Sequence, residues 1–228
     1  MKPELRRFGN QQSPVVVIDE FSGNANRLID IAVDLAPYAS QANYYPGLRR
    51  VIASGDGAAD AYVVETCKRA APFIGGAFDI EDFDLIEASF SMVTTDPAKL
   101  RSPQRAPHFD TTDQKHLALL HYLHVPEGSG TAFYRQRSTG IERVTKSNLD
   151  QFVRAAKEEA AKLRPDSGYI HGSDDFFEQI GAVEAVPDRM IIYQGSLLHS
   201  GIIPPGMNFS SDPREGRLTA NLFVRGHR

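Results

Sequence analysis

Apolar residues recur along the chain with two different periods, and the switch from one to the other divides it. Residues 15–18, VVVI, form a β-branched run that predicts a short strand. The next segment, SGNANRLIDIAVDLAPYA (22–39), opens on capping-type residues and sets Leu28, Ile29, Ile31, Ala32 and Leu35 at helical spacing. YYPGLRRVI (44–52) mixes aromatic, turn-forming and basic residues and reads as a loop entering an extended segment. DGAADAYVVETCKRAA (56–71) predicts a second helix with Ala, Val and Cys67 on its inner face. From residue 83 near-alternation takes over, and FDLIEASFSMVTT (83–95), KHLALLHYLHV (115–125) and TAFYR (131–135) read as strands, the last two joined by a PEGSG turn. SNLDQFVRAAKEEAAKL (147–163) interrupts them with a Ser or Asn cap and strong helix formers. DRMIIYQGSLLHSGII (188–203) and GRLTANLFVRG (216–226) supply the last strands, separated by a Pro-, Gly-, Asn- and Ser-rich loop at 204–215.

Helices early and many short strands later predict an α+β architecture in which helices buttress one face of an antiparallel double sheet. Closing two sheets into a double-stranded β-helix, the cupin-like jelly roll, protects their edges and leaves an open mouth suited to a cofactor. The expected organisation is a single domain over 1–228, with helical support in 1–82, a jelly-roll core in 83–226 and a helical insertion at 147–182.

Composition narrows the function classes. With 41% hydrophobic and 24% charged residues the 228-residue chain matches ordinary globular proteins, and no apolar run approaches the ~20 residues that span a bilayer. MKPELRRFGNQQSP lacks the apolar core of a secretory signal and the single Cys67 has no internal disulfide partner, so a cytoplasmic, membrane-free protein is expected. A formal net charge of -4 with mixed signs offers no basic stripe for phosphates and argues against nucleic acid as a partner.

The candidate chemistry starts at PHFDTT (107–112). Alternate residues of a strand project from one face, so His108 and Asp110 are placed to point at one atom. His199, at the end of the strand candidate MIIYQGSLLH, is the third ligand candidate, because strands far apart in sequence lie side by side in a jelly roll. Two histidines and one carboxylate on one face of an octahedron are the ligand set of non-haem Fe(II), with three positions left for a chelating cosubstrate and O2. The absence of a thiolate argues against structural zinc.

From His108 onward the sequence resembles the Fe(II)/2-oxoglutarate-dependent oxygenases, particularly the prolyl-hydroxylase-like and phytanoyl-CoA-hydroxylase-like branches. The resemblance covers roughly residues 83–226 and rests on four features: His108-Phe109-Asp110 as the H-x-D motif, LALLHYLHVPEGSGTAFYR as the strand, turn and strand that follow it, GSLLHSGIIPP as the strand bearing the distal histidine, and GRLTANLFV as the final Arg-x-Ser/Thr strand. It implies that His108, Asp110 and His199 hold iron, that Arg217 grips the distal carboxylate of 2-oxoglutarate with two parallel hydrogen bonds, and that Thr219 and Tyr122 assist. A lengthened loop, PGMNFSSDP, separates His199 from Arg217 and leaves Arg214 and Arg225 as competitors, one in the loop and one at the strand's end. The implied reaction is hydroxylation of a C–H bond in a small metabolite, amino acid or peptide side chain. With Asp110 as a ligand no position is left for halide, which disfavours halogenation.

Other clusters receive plainer readings. On the 115–125 strand His116 and His124 face one way and His121 the other, so the three cannot share a metal, and each reads as structural or surface. His171 and His227 read as surface residues, and DIEDFD (79–84) as a solvated edge. Ser196 and His199 do not read as a nucleophile pair, because the G-x-S-x-G elbow is missing. Segments 43–50, 135–144, 147–163, 171–181 and 204–215 are the candidates for covering the mouth. Two other function classes stay open: a cupin-type metalloenzyme that does not use 2-oxoglutarate, against which the missing H-x-H pair with a following Glu counts, and a non-catalytic binding module.

Overall fold

The computed structural model describes residues 2–40, 45–162 and 167–227. Residues 43–44 of the first mouth segment and residue 163 of the predicted third helix lie outside them. The strands are β1 (Lys2–Phe8), β2 (Ser13–Asp19), β3 (Ala39–Ser40), β4 (Gly47–Val51), β5 (Asp82–Val93), β6 (His116–His124), β7 (Gly130–Gln136), β8 (Phe177–Glu184), β9 (Met190–Gln194), β10 (His199–Ile202) and β11 (Leu218–His227). A large antiparallel sheet runs β1-β2-β9-β6-β11-β5-β4-β3, and a small one runs β10-β7-β8. The fold is α+β, a double-stranded β-helix.

Period-two alternation explains why the central strands look apolar throughout. On β2, Val15 and Val17 face the space between the sheets while Val16 and Ile18 face the helices; on β9, Ile191 and Tyr193 face inward and Met190 and Ile192 outward. Both faces are buried, so apolar residues occupy both sets of positions.

Helix α1 (Ala25–Asp34) is capped by Asn24, whose side chain accepts from the Arg27 amide at 3.1 Å, and buries Leu28, Ile29, Ile31 and Ala32 as its spacing predicts. Helix α2 (Ala58–Phe78) runs past Pro72, beyond the predicted end, because Ala70 and Ile74 continue the buried stripe begun by Ala59, Tyr62, Val63 and Thr66. Both pack on the outer face of the large sheet in one apolar cluster with Phe90, Leu119 and Leu222. Helix α3 (Leu149–Ala160) lies behind the small sheet, where Phe152 joins Tyr134, Phe177 and Leu198. Buried Glu159 fixes that position by accepting from Gln136 Nε2 at 2.7 Å and Ser138 Oγ at 2.5 Å.

Three expectations change. Residues before 82 are not only helical support: β1, β2, β3 and β4 all extend the large sheet. The stretch 188–203 is not one strand, since β9 belongs to the large sheet and β10 to the small one, with the chain crossing between them at Gly195–Leu198. The insertion at 147–182 and the proposed cover at 171–181 both run into β8, which pairs with β7 along its length. Nor does α3 cover a mouth, because its apolar face is committed to the back of the small sheet.

Candidate metal centre

His108 and His199 belong to neighbouring extended segments whose backbones exchange two hydrogen bonds, His108 N–H to His199 C=O at 2.9 Å and the reverse at 2.8 Å. Two residues on, the Asp110 amide donates to the Gly195 carbonyl at 2.7 Å. Residues 108–110 therefore lie beside the crossover and the first residue of β10, joined by one bridge at His199 and the bond to Gly195. Alternation does the rest: Phe109 turns back onto Phe152 of α3, edge to face at 5.6 Å, and the flanking His108 and Asp110 turn the other way.

The three predicted ligands converge. His199 Nε2 lies 3.7 Å and His108 Nε2 3.9 Å from Asp110 Oδ1, and one donor atom from each residue falls within 4.8 Å of the others. Removing one proton-bearing role at a time fixes the tautomer of His199: its Nδ1 lies 2.7 Å from the Leu197 carbonyl, which only accepts, so Nδ1 carries the hydrogen and Nε2 keeps a lone pair for a cation. Burial lowers the His199 pKa to about 4, against the opposing pull of Leu197. Desolvation by the surrounding chain and the neighbouring His199 both lower that of His108; its ring is 58% exposed, so the adjacent imidazole is the influence its geometry supports better. Burial raises Asp110, with His108, His116 and Arg49 opposing. The site thus offers two neutral imidazoles and one carboxylate, the donors that suit Fe(II).

A second feature is Arg217, only 5% exposed. Its Nε donates to Ser129 Oγ at 2.8 Å and an Nη to the Gly130 carbonyl at 3.4 Å, and no carboxylate pairs with it among the described residues. A buried guanidinium held only by neutral acceptors keeps an unbalanced charge in low dielectric, which is costly until an anion arrives. Tyr122, fully buried, lies with its ring 5.9 Å from the Arg217 guanidinium and its hydroxyl 2.7 Å from Thr131 Oγ1. Thr219, one strand-face step from Arg217, reaches the Ser91 carbonyl at 3.5 Å. The competing arginines are spent elsewhere: Arg214 pairs with Asp30 and Arg225 with Asp113, all on the surface.

A protein-family model matches residues 1–224. The chain belongs to that family, DUF6445, a family of unknown function. No functionally curated protein matches it by sequence. Among solved structures, the non-haem α-ketoglutarate-dependent epimerase SnoN of nogalamycin biosynthesis is similar at 14% identity and a TM-score of 0.55, over 95% of this chain and 80% of SnoN. HygX of Streptomyces hygroscopicus, in its form with nickel and 2-oxoglutarate bound, is similar at 13% identity and a TM-score of 0.55, over 95% and 84%. A viral collagen prolyl hydroxylase of Paramecium Bursaria Chlorella virus-1 is similar at 12% identity and a TM-score of 0.50, over 100% and 97%. At such identities the likeness is one of fold, and the fold of this DUF6445 chain is that of the Fe(II)/2-oxoglutarate-dependent oxygenases. No helix among the described residues is long and apolar enough to cross a membrane.

The remaining histidines of the DUF6445 chain separate as alternation requires. His121 faces α2, fully buried between Tyr62 and Asp188; His116 and His124 face inward, His124 Nδ1 lying 2.8 Å from the Gly216 carbonyl. His116 is half-buried, and its buried Nε2 has no hydrogen-bond partner among the described residues; its ring packs on Phe223 and beside Asp110. His227 meets Asp84 on the surface. Of the mouth segments, 45–50 and 204–215 meet in a small cluster in which Tyr45, Met207 and Phe209 are joined by Val93, Tyr169 and Ile203. Segment 135–144 is instead tied by Arg135–Glu142 to the β1–β2 turn, whose Asn10 and Gln11 amides donate to Glu142.

Sequence reasoning missed Ser129, Leu197 and Gly195. A serine in a turn and a carbonyl that orients a ring carry no residue-type signal. Gly195 carried one, since a Cβ there would sit 2.7 Å from His116 Cδ2 and 3.1 Å from Asp110 Oδ2. Two further inward-facing residues were given no site role of their own: Arg49 on β4 fell within a loop and mouth-covering segment, and Asn221 on β11 within a strand.

Proposed function

We propose that the protein is a non-haem Fe(II)- and 2-oxoglutarate-dependent oxygenase that hydroxylates a C–H bond of a small metabolite, amino acid or peptide side chain. The observation that carries this reading is Arg217, a buried cation lacking a counter-ion among the described residues, inside the same β-helix as a His-Asp-His cluster. A cupin that uses metal alone has no need of that cation, whereas a dicarboxylate chelated at one end delivers a carboxylate at a distance from the metal.

The chain's own residues fit both groups. His108, Asp110 and His199 would hold iron, and Arg217, flanked by Thr219 and Tyr122, would hold the far carboxylate of 2-oxoglutarate. When bound, iron and cosubstrate together would supply the means to activate O2, the oxidant for attack on a C–H bond, with the 2-oxo acid oxidised to succinate and CO2. Leu197, through its carbonyl, keeps Nε2 of His199 deprotonated and aimed. Leu120, Ile191 and Tyr193, on the inward face of β6 and β9, make that side of the site apolar and exclude water. The backbone bonds between the two histidine segments hold the ligands in place before anything binds, so little ordering is left to the loading step.

Anaerobic titration of the protein with Fe(II) and 2-oxoglutarate tests the proposal. A weak visible charge-transfer band that needs both additions is expected, followed by succinate release when air is admitted. Metal binding without the band points to a cupin-type enzyme, and neither signal to a binding module.

A further inference from the structure

The inward face of the large sheet changes character at β11. On β6 between its terminal His116 and His124, and on β9, it is mainly apolar, but on β11, β5 and β4 it carries Asn221, Ser89, Ser91, Glu87 and Arg49. Register places Arg49 opposite Ser91, Ser91 opposite Thr219 and Thr219 opposite Tyr122, one row across four strands. From that row the Arg49 side chain runs along β5 towards its N-terminal end: Nε reaches Ser91 Oγ at 3.4 Å, and Nη2 bonds Ser89 Oγ at 2.8 Å and the carboxylate of Glu87. That direction leads towards the metal ligands, because Glu87 pairs with Phe223, the Phe223 ring packs on His116, and His116 abuts Gly195 and Asp110.

Several polar groups here are left over. Among the described residues Nη1 of Arg49 makes no hydrogen bond, and only one oxygen of Glu87, 36% exposed, is engaged by Arg49. Asn221 donates from Nδ2 to Ser91 Oγ at 3.1 Å, while its buried Oδ1 has no partner among the described residues. In either orientation of the amide one end of Asn221 is unsatisfied, and a buried polar group in that condition is destabilising until a partner arrives.

We infer that the Arg49–Glu87 pair, with Asn221, recognises the primary substrate, and that this substrate is a free α-amino acid or a small molecule with the same adjacent carboxylate and ammonium. The inference rests on the oxygenase reading and narrows it. The charge balance selects the class. Arg49 and Glu87 together are neutral, so a simple carboxylic acid or a simple amine brings an excess charge under cover, which is penalised. A zwitterion exchanges one ion pair for two and leaves none uncompensated, its carboxylate taking the free edge of Arg49 and its ammonium the free oxygen of Glu87. Arg217 is excluded from this role, since it lies at the other end of the site on Ser129 and Gly130.

The test uses the full chain with Fe(II), 2-oxoglutarate and air, and follows succinate above the rate without added substrate. The probes are the standard α-amino acids, and for each its N-acetyl form, its amide and its decarboxylated amine. Stimulation by at least one free amino acid and by none of its three blocked forms is expected. Arg49→Met should then raise KM for that amino acid at least about thirtyfold, with kcat changed less, and Arg49→Lys should recover part of the loss. A thermal melt shows whether either variant is folded; if Arg49→Met is not, Glu87→Gln serves, with the expected outcome that the N-acetyl form gains on the free amino acid. Background succinate with no stimulation by any free amino acid, or equal stimulation by the blocked forms, overturns the inference and leaves the oxygenase reading standing. Absence of both the anaerobic charge-transfer band and succinate removes the oxygenase reading, and the inference with it.

Discussion

The backbones of His108 and His199 are bonded to each other in both directions, so the ligand cluster is held by main chain and not by its own side chains. Removing a ring therefore leaves the framework in place. His199→Ala and His108→Ala are each expected to weaken Fe(II) binding by more than the 10–100-fold typical of losing a group that merely orients a ligand. Equilibrium metal titration measures the loss, and the apoprotein melting temperature should move by only a few degrees. A large fall in melting temperature with metal affinity retained would contradict this division of labour.

Arg217 leads to an opposite pair of effects. Its charge lacks a carboxylate partner among the described residues, so Arg217→Met should leave the ligand-free protein as stable as before or more so. The same substitution should abolish the rise in melting temperature produced by 2-oxoglutarate in the presence of metal, while metal binding itself persists. Ten times the wild-type half-saturating cosubstrate should still give no shift. Unchanged affinity for the cosubstrate would show that Arg217 is not its anchor.

Much of this arrangement was legible in the residue pattern, for a physical reason. Alternation in a strand fixes which side chains share a face, so His108 with Asp110, and His121 opposed to His116 and His124, follow from spacing alone. The longer loop before Arg217 still delivers it to the start of β11, which begins at the next residue, Leu218, while Arg214 and Arg225 pair with Asp30 and Asp113. What spacing could not convey was where a strand ends in one sheet and resumes in another. Between Met190 and Leu198 only Gln194, Gly195 and Ser196 separate two apolar runs, too short a polar break to mark a change of sheet, and a Cβ at Gly195 would crowd His116 and Asp110. The edge strand β1 and the strand β8 were missed because few of their side chains are buried on both faces, which leaves pairing as their main determinant.

Gly195 supports Asp110 from two directions, accepting from its amide and leaving room for its carboxylate. Gly195→Ala places a methyl group 2.7 Å from His116 Cδ2 and 3.1 Å from Asp110 Oδ2, and something must shift. Overpacking of this kind costs about 1–3 kcal/mol. Because the atoms that yield include a metal ligand, metal affinity should fall by about 10–100-fold, on the scale of a lost orienting contact. Chemical denaturation and metal titration on the same preparation check the two effects. Loss of stability with unaltered affinity would mean that the shift is absorbed by His116 alone.

The Tyr62–His121–Asp188 chain makes stability depend on pH well away from the metal ligands. Neutral His121 satisfies both neighbours, donating from Nε2 to Asp188 Oδ1 at 2.9 Å and accepting at Nδ1 from the Tyr62 hydroxyl at 2.9 Å. Burial lowers the His121 pKa although Asp188 opposes it. Burial would raise Asp188, but hydrogen bonds from His121, the Ser22 hydroxyl and the amides of Ser22 and Gly23 more than offset this and hold it far below the usual carboxylate range. Both folded-state values lie under their unfolded counterparts, so between them the unfolded chain binds more protons and stability is lost as pH is lowered. His121 contributes from about pH 6.5 downwards and Asp188 from about pH 4 downwards, where the unfolded groups begin to take up protons. Asp188→Asn keeps a side chain that tolerates the residue's φ of 64° and removes the charge. It is expected to cost about 2–3 kcal/mol at pH 7.5, the scale of hydrogen bonds to a charged group, and to reduce the slope of stability against pH below 6. Urea unfolding at half-unit intervals from pH 8 to 4 measures both, and parallel wild-type and variant curves would rule out this pair as the source of acid sensitivity.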